Sequence, residues 1–348
     1  MVILHRPGCH VALVALARAV VALNRKDRAL AYSDLYPMIS GGPWFRPSDI
    51  MVALRRIRQR FAPVSHQKSL DVSQNVADHA VPFSEYPACE LCGARDSRQV
   101  LTARDGNRVV ACMDCGLWFT SPRVPEPLWQ EWLAAQDSER NRRVTENRLR
   151  HGVALDRNVA YSFSFWWRLR QRRYRALVRK LIALHGGRPG RFFDVGCGVG
   201  FLLQCAKDLG LEAAGNDLNG YAVARMRDAL GLNVHQCLLT ELQNLPEFAG
   251  RWDIVVMRDY IEHTYHPLAD LRAAYALMPS GGLIYVHTFV VDSQLGQRCG
   301  ADWDQHMWNH VFHFSSTSLQ TVIAKAGFRV ELTELEHHSG NIAVTARK

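Results

Sequence analysis

The 348-residue sequence predicts an α/β chain: a doubly wound, mostly parallel sheet in the C-terminal part, preceded by a small ribbon and an N-terminal helical unit. Three observations carry that expectation. An apolar run ends in Phe193-Asp194-Val195-Gly196-Cys197-Gly198-Val199-Gly200, the pattern of a strand that turns tightly into a helix. Cys89-Glu-Leu-Cys92-Gly93 and Cys112-Met-Asp-Cys115-Gly116 form two Cys-x2-Cys pairs separated by nineteen residues. Trp252 to Met257 reads as a further buried strand, and Asp217 closes a short apolar run 23 residues beyond Asp194.

Residues 1–62 are expected to form the helical unit, with helices over Cys9–Leu23 and Ser48–Phe61. Ile50, Leu54, Ile57 and Phe61 make one apolar stripe, and Pro47-Ser48 suits a helix start. The segment faintly resembles a winged-helix DNA reader; a packing or dimerisation unit is the preferred reading. Val11–Leu23 holds Arg18, keeps helical spacing and lacks a cleavage signal, so it is not read as a signal peptide. No apolar run approaches the roughly 20 residues that span a bilayer. Residues 63–87 are polar and read as a linker.

Residues 88–122 read as a zinc ribbon with Cys89, Cys92, Cys112 and Cys115 as ligands and hairpin character at Gln99–Thr102 and Arg108–Ala111. Four protein thiolates leave no open coordination position, so the metal is expected to be structural. Two disulfides are the competing reading. The other five cysteines are scattered and odd in number, which points to a reduced, cytoplasmic chain with no membrane association.

Residues 123–187 read as a basic helical spacer or cap. Fifteen Arg or Lys stand against Glu139, Glu146 and Asp156 between Ser138 and Arg191, a surplus larger than the +9 of the whole chain. Within Trp166–Leu184, Trp167, Leu169, Tyr174, Leu177, Val178 and Leu181 recur partly at helical spacing, with arginines between them. Such a helix suits an anionic partner, or is simply a solvated face.

In the remaining residues, 188–348, Gly196, Gly198 and Gly200 can take positive φ and turn their N–H groups toward a ligand at the next helix N-terminus. Asp217 is placed to accept both hydroxyls of a ribose. From about Arg188 onward the chain resembles the class I S-adenosylmethionine-dependent methyltransferases. The resemblance rests on the glycine loop, on Arg258-Asp259-Tyr260-Ile261-Glu262-His263 after the Trp252–Met257 strand, on Pro279-Ser280-Gly281-Gly282 before Leu283–Val286, and on Ala326-Gly327-Phe328 followed by Arg329–Leu332 and Asn341–Ala346. With the four-cysteine ribbon it extends to about Ala88 and points to a bacterial group of zinc-ribbon methyltransferases of small-molecule and polysaccharide biosynthesis.

The resemblance implies a seven-stranded Rossmann-like sheet and S-adenosylmethionine as cofactor. Asp194, Gly196, Cys197, Gly198 and Gly200 would hold its methionine end, Asp217 and Leu218 its ribose side, with Asp259 also on the cofactor. Where the family commonly has an Asp after the third strand, this chain reads Cys237-Leu238-Leu239-Thr240, so backbone or Glu241 would meet the adenine. A hydroxyl acceptor needs a base, and His263 is the catalytic candidate. His306, His310 and His313 would share one face if helical and could then bind a metal; their likeness to the family's His-x-x-x-Phe-Ser stretch favours an acceptor-side loop. The expected acceptor is a small, anionic or sugar-type intermediate. The alternatives are a nucleic-acid methyltransferase and a DNA-binding regulator that senses the cofactor.

Overall fold

The computed structural model describes residues 83–134, 165–187, 190–336 and 339–348. The expected helices in residues 1–62, residues 63–82 of the expected linker and residues 135–164 of the basic spacer lie outside the described residues.

The strands, in chain order, are β1 (Ser97–Thr102), β2 (Arg108–Cys112), β3 (Trp118–Thr120), β4 (Arg191–Val195), β5 (Glu212–Asn216), β6 (Asn233–His235), β7 (Ile254–Arg258), β8 (Leu283–Phe289), β9 (Phe312–His313), β10 (Arg329–Glu336) and β11 (Asn341–Arg347). The helices are α1 (Glu126–Ala134), α2 (Phe165–Leu184), α3 (Phe201–Asp208), α4 (Gly220–Leu230), α5 (Leu239–Leu242), α6 (Pro267–Leu277), α7 (Gln294–Cys299) and α8 (Ser316–Lys325).

Seven strands form one sheet in the order β10-β11-β8-β7-β4-β5-β6. The β4–β5, β5–β6, β4–β7 and β7–β8 pairs are parallel, and β11 runs antiparallel to both β8 and β10. Leaving β4, the chain winds outward through β5 and β6, then returns to β7 on the other flank of β4. That reversal opens a crevice beyond the C-terminal ends of β4 and β7, where doubly wound sheets bind ligands. Phe192, Phe193, Val195, Ile254, Val255, Val256 and Met257 are wholly buried, successive residues alike. A strand covered on both faces requires such an unbroken apolar run, and the inner strands β8 and β11 are likewise buried along most of their length. The edge strand β10 is largely exposed and carries Arg329, Glu331, Glu334 and Glu336, charges that discourage pairing with another chain.

Helix α2 covers one face of the sheet through Val178 and Leu181, both fully buried. Its polar side is partly neutralised: Arg175 pairs with Asp208 at 2.6 Å, and Lys180 pairs with Glu334. Arg172, Arg173 and Arg179 are exposed.

The ribbon hairpin forms where expected, but its sheet has four strands in the order β1-β2-β3-β9. The fourth strand belongs to the segment that follows α7. Trp118 pairs with His313 and Phe119 with Phe312 in antiparallel register. The shared helix face considered for the three histidines does not form: His306 and His310 lie in irregular chain and His313 in β9, so the three meet through loop geometry.

Candidate active site

The chain leaves β4 through three left-handed glycines, Gly196 (φ 63°), Gly198 (φ 59°) and Gly200 (φ 75°), the last capping α3. A Cβ on Gly196 would lie 2.5 Å from Tyr260 Cδ2, so both backbone angle and space exclude a side chain there. Asp217, just past β5, ties this loop down. Its Oδ2 accepts the Gly198 N–H at 2.8 Å and its Oδ1 accepts the Asn219 N–H at 2.9 Å. Cys197 N–H donates to the Asn216 carbonyl at 3.0 Å, and the Leu218 carbonyl takes Gln236 Nε2 at 3.5 Å. Glu241, the expected adenine partner, accepts the Leu238 N–H at 2.7 Å and so caps α5.

Asp194, the penultimate residue of β4, is almost fully buried, and burial pushes its carboxyl up to about 8 although the Arg258 charge opposes the shift. Asp259, one residue past β7, holds φ 54°, a strained angle for a non-glycine residue. Its Oδ1 accepts His287 Nδ1–H at 2.8 Å and its Oδ2 meets Arg258 Nη1 at 3.0 Å. Burial would raise this carboxyl, but the His287 hydrogen bond and the Arg258 charge hold it below the usual range. Sequence reasoning missed His287, whose only sequence signature is a place in an otherwise apolar strand.

The loop after β7 carries Glu262 and His263. Glu262 is 3% exposed, burial pushes it up to about 7, and its Oε2 has no hydrogen-bond partner. His263 Nδ1 lies 2.8 Å from the Asn309 carbonyl. A carbonyl only accepts, so Nδ1 carries the proton and Nε2 keeps its lone pair. The same logic holds for His310, whose Nδ1 lies 2.7 Å from the Gln305 carbonyl. The two rings meet edge to face at 4.6 Å. Burial lowers His263 and takes His310 down to about 3, so both are neutral at pH 7. A ring nitrogen of each and a carboxylate oxygen of Glu262 lie within 4.8 Å of one another. The arrangement can accept a proton from, or hydrogen-bond, a polar molecule above β7.

The ribbon cysteines converge as well. Cys89 Sγ lies 3.4 Å from Cys115 Sγ, Cys92 Sγ lies 3.5 Å from Cys112 Sγ, and all four sulfurs fall within 4.8 Å of one another. Each pair sits in the same turn: Gly93 N–H donates to the Cys89 carbonyl at 2.7 Å and Gly116 N–H to the Cys112 carbonyl at 3.0 Å, with both glycines left-handed. Burial works against ionising Cys112, yet the N–H groups of Cys115 and Asp114 draw its thiol down to about 7.

Residues 166–333 match the family model described as a methyltransferase domain, so the chain carries such a domain in its C-terminal half. Among curated relatives, the ubiquinone biosynthesis O-methyltransferase of Marinobacter nauticus is 30% identical over 103 residues, covering 28% of this chain and 43% of the relative. The protein of the same name from Ruegeria pomeroyi is 34% identical over 96 residues, covering 27% and 38%. The chain thus spans less than half the length of these relatives. Similar solved structures include the Burkholderia thailandensis 1,6-didemethyltoxoflavin-N1-methyltransferase (16% identity, 68% of this chain and 97% of that one, TM-score 0.44). Another is the magnesium protoporphyrin IX methyltransferase of Synechocystis (15%, 64% and 100%, TM-score 0.45).

Proposed function

We propose that residues 188–348 bind S-adenosylmethionine and pass its methyl group to a small, anionic or sugar-type biosynthetic intermediate. The observation that carries this reading is the Gly196–Gly200 loop with Asp217 fastened to its central N–H. The cradle fits the cofactor: Gly196, Gly198 and Gly200 are left-handed, the space where a Cβ of Gly198 would point is open, and two carboxylates, Asp194 and Asp217, stand near the C-terminal ends of the paired strands β4 and β5. When bound, the cofactor supplies a methyl group already activated by its sulfonium. The chain supplies position and dryness.

In this reading Asp194, Gly196, Cys197, Gly198 and Gly200 take the methionine end. Asp217 and Leu218 take the ribose, and Asp259 lines the crevice beside them. His263 is the acceptor-side catalytic residue: its Nε2 lone pair is available for the proton of a hydroxyl acceptor, and Asn309 fixes its tautomer. The O-methyltransferase relatives support oxygen as the methylated atom.

The four ribbon cysteines would hold zinc. Sulfurs around a tetrahedral zinc stand about 3.8 Å apart, and the two closest pairs here, at 3.4 and 3.5 Å, are near that spacing, with all four sulfurs within 4.8 Å of one another. Such a site needs reduced thiols, which supports a cytoplasmic setting. Among the described residues no helix is long and apolar enough to cross a membrane. A nucleic-acid acceptor is the second reading, favoured by exposed Arg172, Arg173 and Arg179 on α2.

The test is calorimetric titration with S-adenosylmethionine and with its demethylated product, at low and high salt. Micromolar binding of both is expected. Binding of neither would overturn the reading, and methyl transfer to nucleic acid that fell steeply with salt would favour the alternative.

A further inference from the structure

One side chain of the ribbon reaches the buried histidines of the acceptor side. Thr120, the last residue of β3, is fully buried. Its Oγ1 lies 3.0 Å from the His310 carbonyl and 3.2 Å from His313 Nε2. The carbonyl has no proton to give, so the hydroxyl proton must point at it. The lone pairs of Oγ1 then face His313, and Nε2 of that ring must be the protonated nitrogen. His313 Nδ1 is therefore a lone pair. It lies 3.2 Å from His306 Nδ1, which in turn must carry a proton. A single hydroxyl thus sets the tautomers of two buried imidazoles in series. Neither ring gains a proton near neutral pH, since burial takes His306 down to about 4 and lowers His313 as well.

The same residue is anchored to the Glu262–His263 loop by backbone. Thr120 N–H donates to the Val311 carbonyl at 3.0 Å, while the N–H groups of Val311 and Phe312 donate to the Glu262 carbonyl at 2.8 and 3.2 Å. The ribbon holds the rest of this segment too. Asp105 Oδ2 accepts the Trp308 N–H at 2.8 Å, and Arg104 pairs with Asp302 at 3.1 Å. His310 therefore sits in chain gripped on both sides by the ribbon, with its own carbonyl held by Thr120.

We propose that Thr120 is a positioning residue of the acceptor side: it fixes the His310 carbonyl and the proton positions of the His313–His306 pair, and so holds His310 against Glu262 and His263. The proposal rests on the assignment of Glu262, His263 and His310 to the acceptor side, and it adds a ribbon residue to their support. The ribbon is then a wall of the site as well as a metal-stabilised fold. Valine matches threonine in shape but can make neither hydrogen bond; serine can make both.

The test is nitrogen NMR of the full chain with labelled histidine, in wild type, Thr120→Val and Thr120→Ser, with cofactor titration on the same samples. In wild type, His313 should carry its proton on Nε2, and His306, His310 and His263 on Nδ1. Thr120→Val should lose the defined tautomers of His313 and His306 and move the Nε2 signals of His310 and His263, while Thr120→Ser restores all four. Cofactor affinity should stay within twofold in both variants. Wild-type His313 protonated on Nδ1 would overturn the proposal whether or not the valine variant folds. So would a folded valine variant whose His310 and His263 signals do not move. Expected tautomers without cofactor binding in wild type would count against the methyl-transfer reading and leave the role of Thr120 standing.

Discussion

The two sides of the crevice are built by opposite means. On the proposed cofactor side, the residues that matter lie within one strand-turn-helix and the strand next to it, from Asp194 to Asn219, and backbone does most of the work. On the proposed acceptor side, the side chains come from Glu262, His263 and His310, and Thr120 of a separate sheet bonds the His310 carbonyl. The first arrangement is local and tolerates little change at its glycines. The second is assembled across the chain and depends on long-range hydrogen bonds. Its integrity is therefore tied to the ribbon, while that of the cofactor loop is not.

Removing the proposed ribbon metal is the harshest way to break this contrast. A chelator, or Cys89→Ser, should release one zinc per chain and cost on the order of 3 kcal/mol or more, because the ribbon loses the ligands that close it. Metal analysis with thermal unfolding checks this. Cofactor affinity in the surviving folded fraction should change far less than the histidine signals of the acceptor side. A chain that purifies with no bound metal would overturn the proposed zinc site.

Asp217→Ala probes the other side. Loss of a charged acceptor for the ribose and for the Gly198 N–H should weaken S-adenosylmethionine binding by about 1.5 to 3 kcal/mol, with the ribbon metal retained. Unchanged affinity in calorimetry would contradict the strand register used here.

The contrast also has a pH signature. Asp194 is raised to about 8 in the folded chain, far above the roughly 3.9 of an unfolded aspartate. Its protonated form therefore favours the fold below pH ~4, and that contribution is lost as pH rises through 8. A cationic cofactor favours the ionised form. Binding near pH 7 should then release a proton, and affinity should rise toward pH 8 by at most about tenfold per unit. Titrations in buffers of different ionisation enthalpy measure the released proton, and its absence would mean that Asp194 is already ionised. The smallest effect expected is for Arg104→Ala. This pair with Asp302 is largely exposed, at 59% and 75% of the side chains, and should contribute less than about 0.5 kcal/mol to the melting transition.

These differences explain what could be read in advance. The glycine loop, Asp217 and the cysteine pairs are short-range patterns, in which residue type and spacing are themselves the constraint. Burial of β4 and β7 on both faces likewise leaves a direct mark, an unbroken apolar run. Strand β9 leaves none. Two residues, Phe312 and His313, pair with β3 only because the ribbon lies beside them, and no periodicity of the chain encodes that. The histidines followed suit: helical spacing would have given a shared face, but they meet in irregular chain and β9, where Thr120, nearly two hundred residues earlier, contacts His313. Asp259 and His287 were similarly separated, one read as a cofactor contact and the other passed over, although a single hydrogen bond makes them one unit.

The four-stranded sheet also bears on descent. A domain that can be shuffled freely has a boundary where few bonds cross, and here the boundary runs through a sheet. Any recombination that exchanged the ribbon would have to bring Trp118–Thr120 and Phe312–His313 from the same parent, though five of the seven strands of the larger sheet, β4 to β8, lie between them. The ribbon and the loop it pairs with are thus expected to be inherited together and to diverge together.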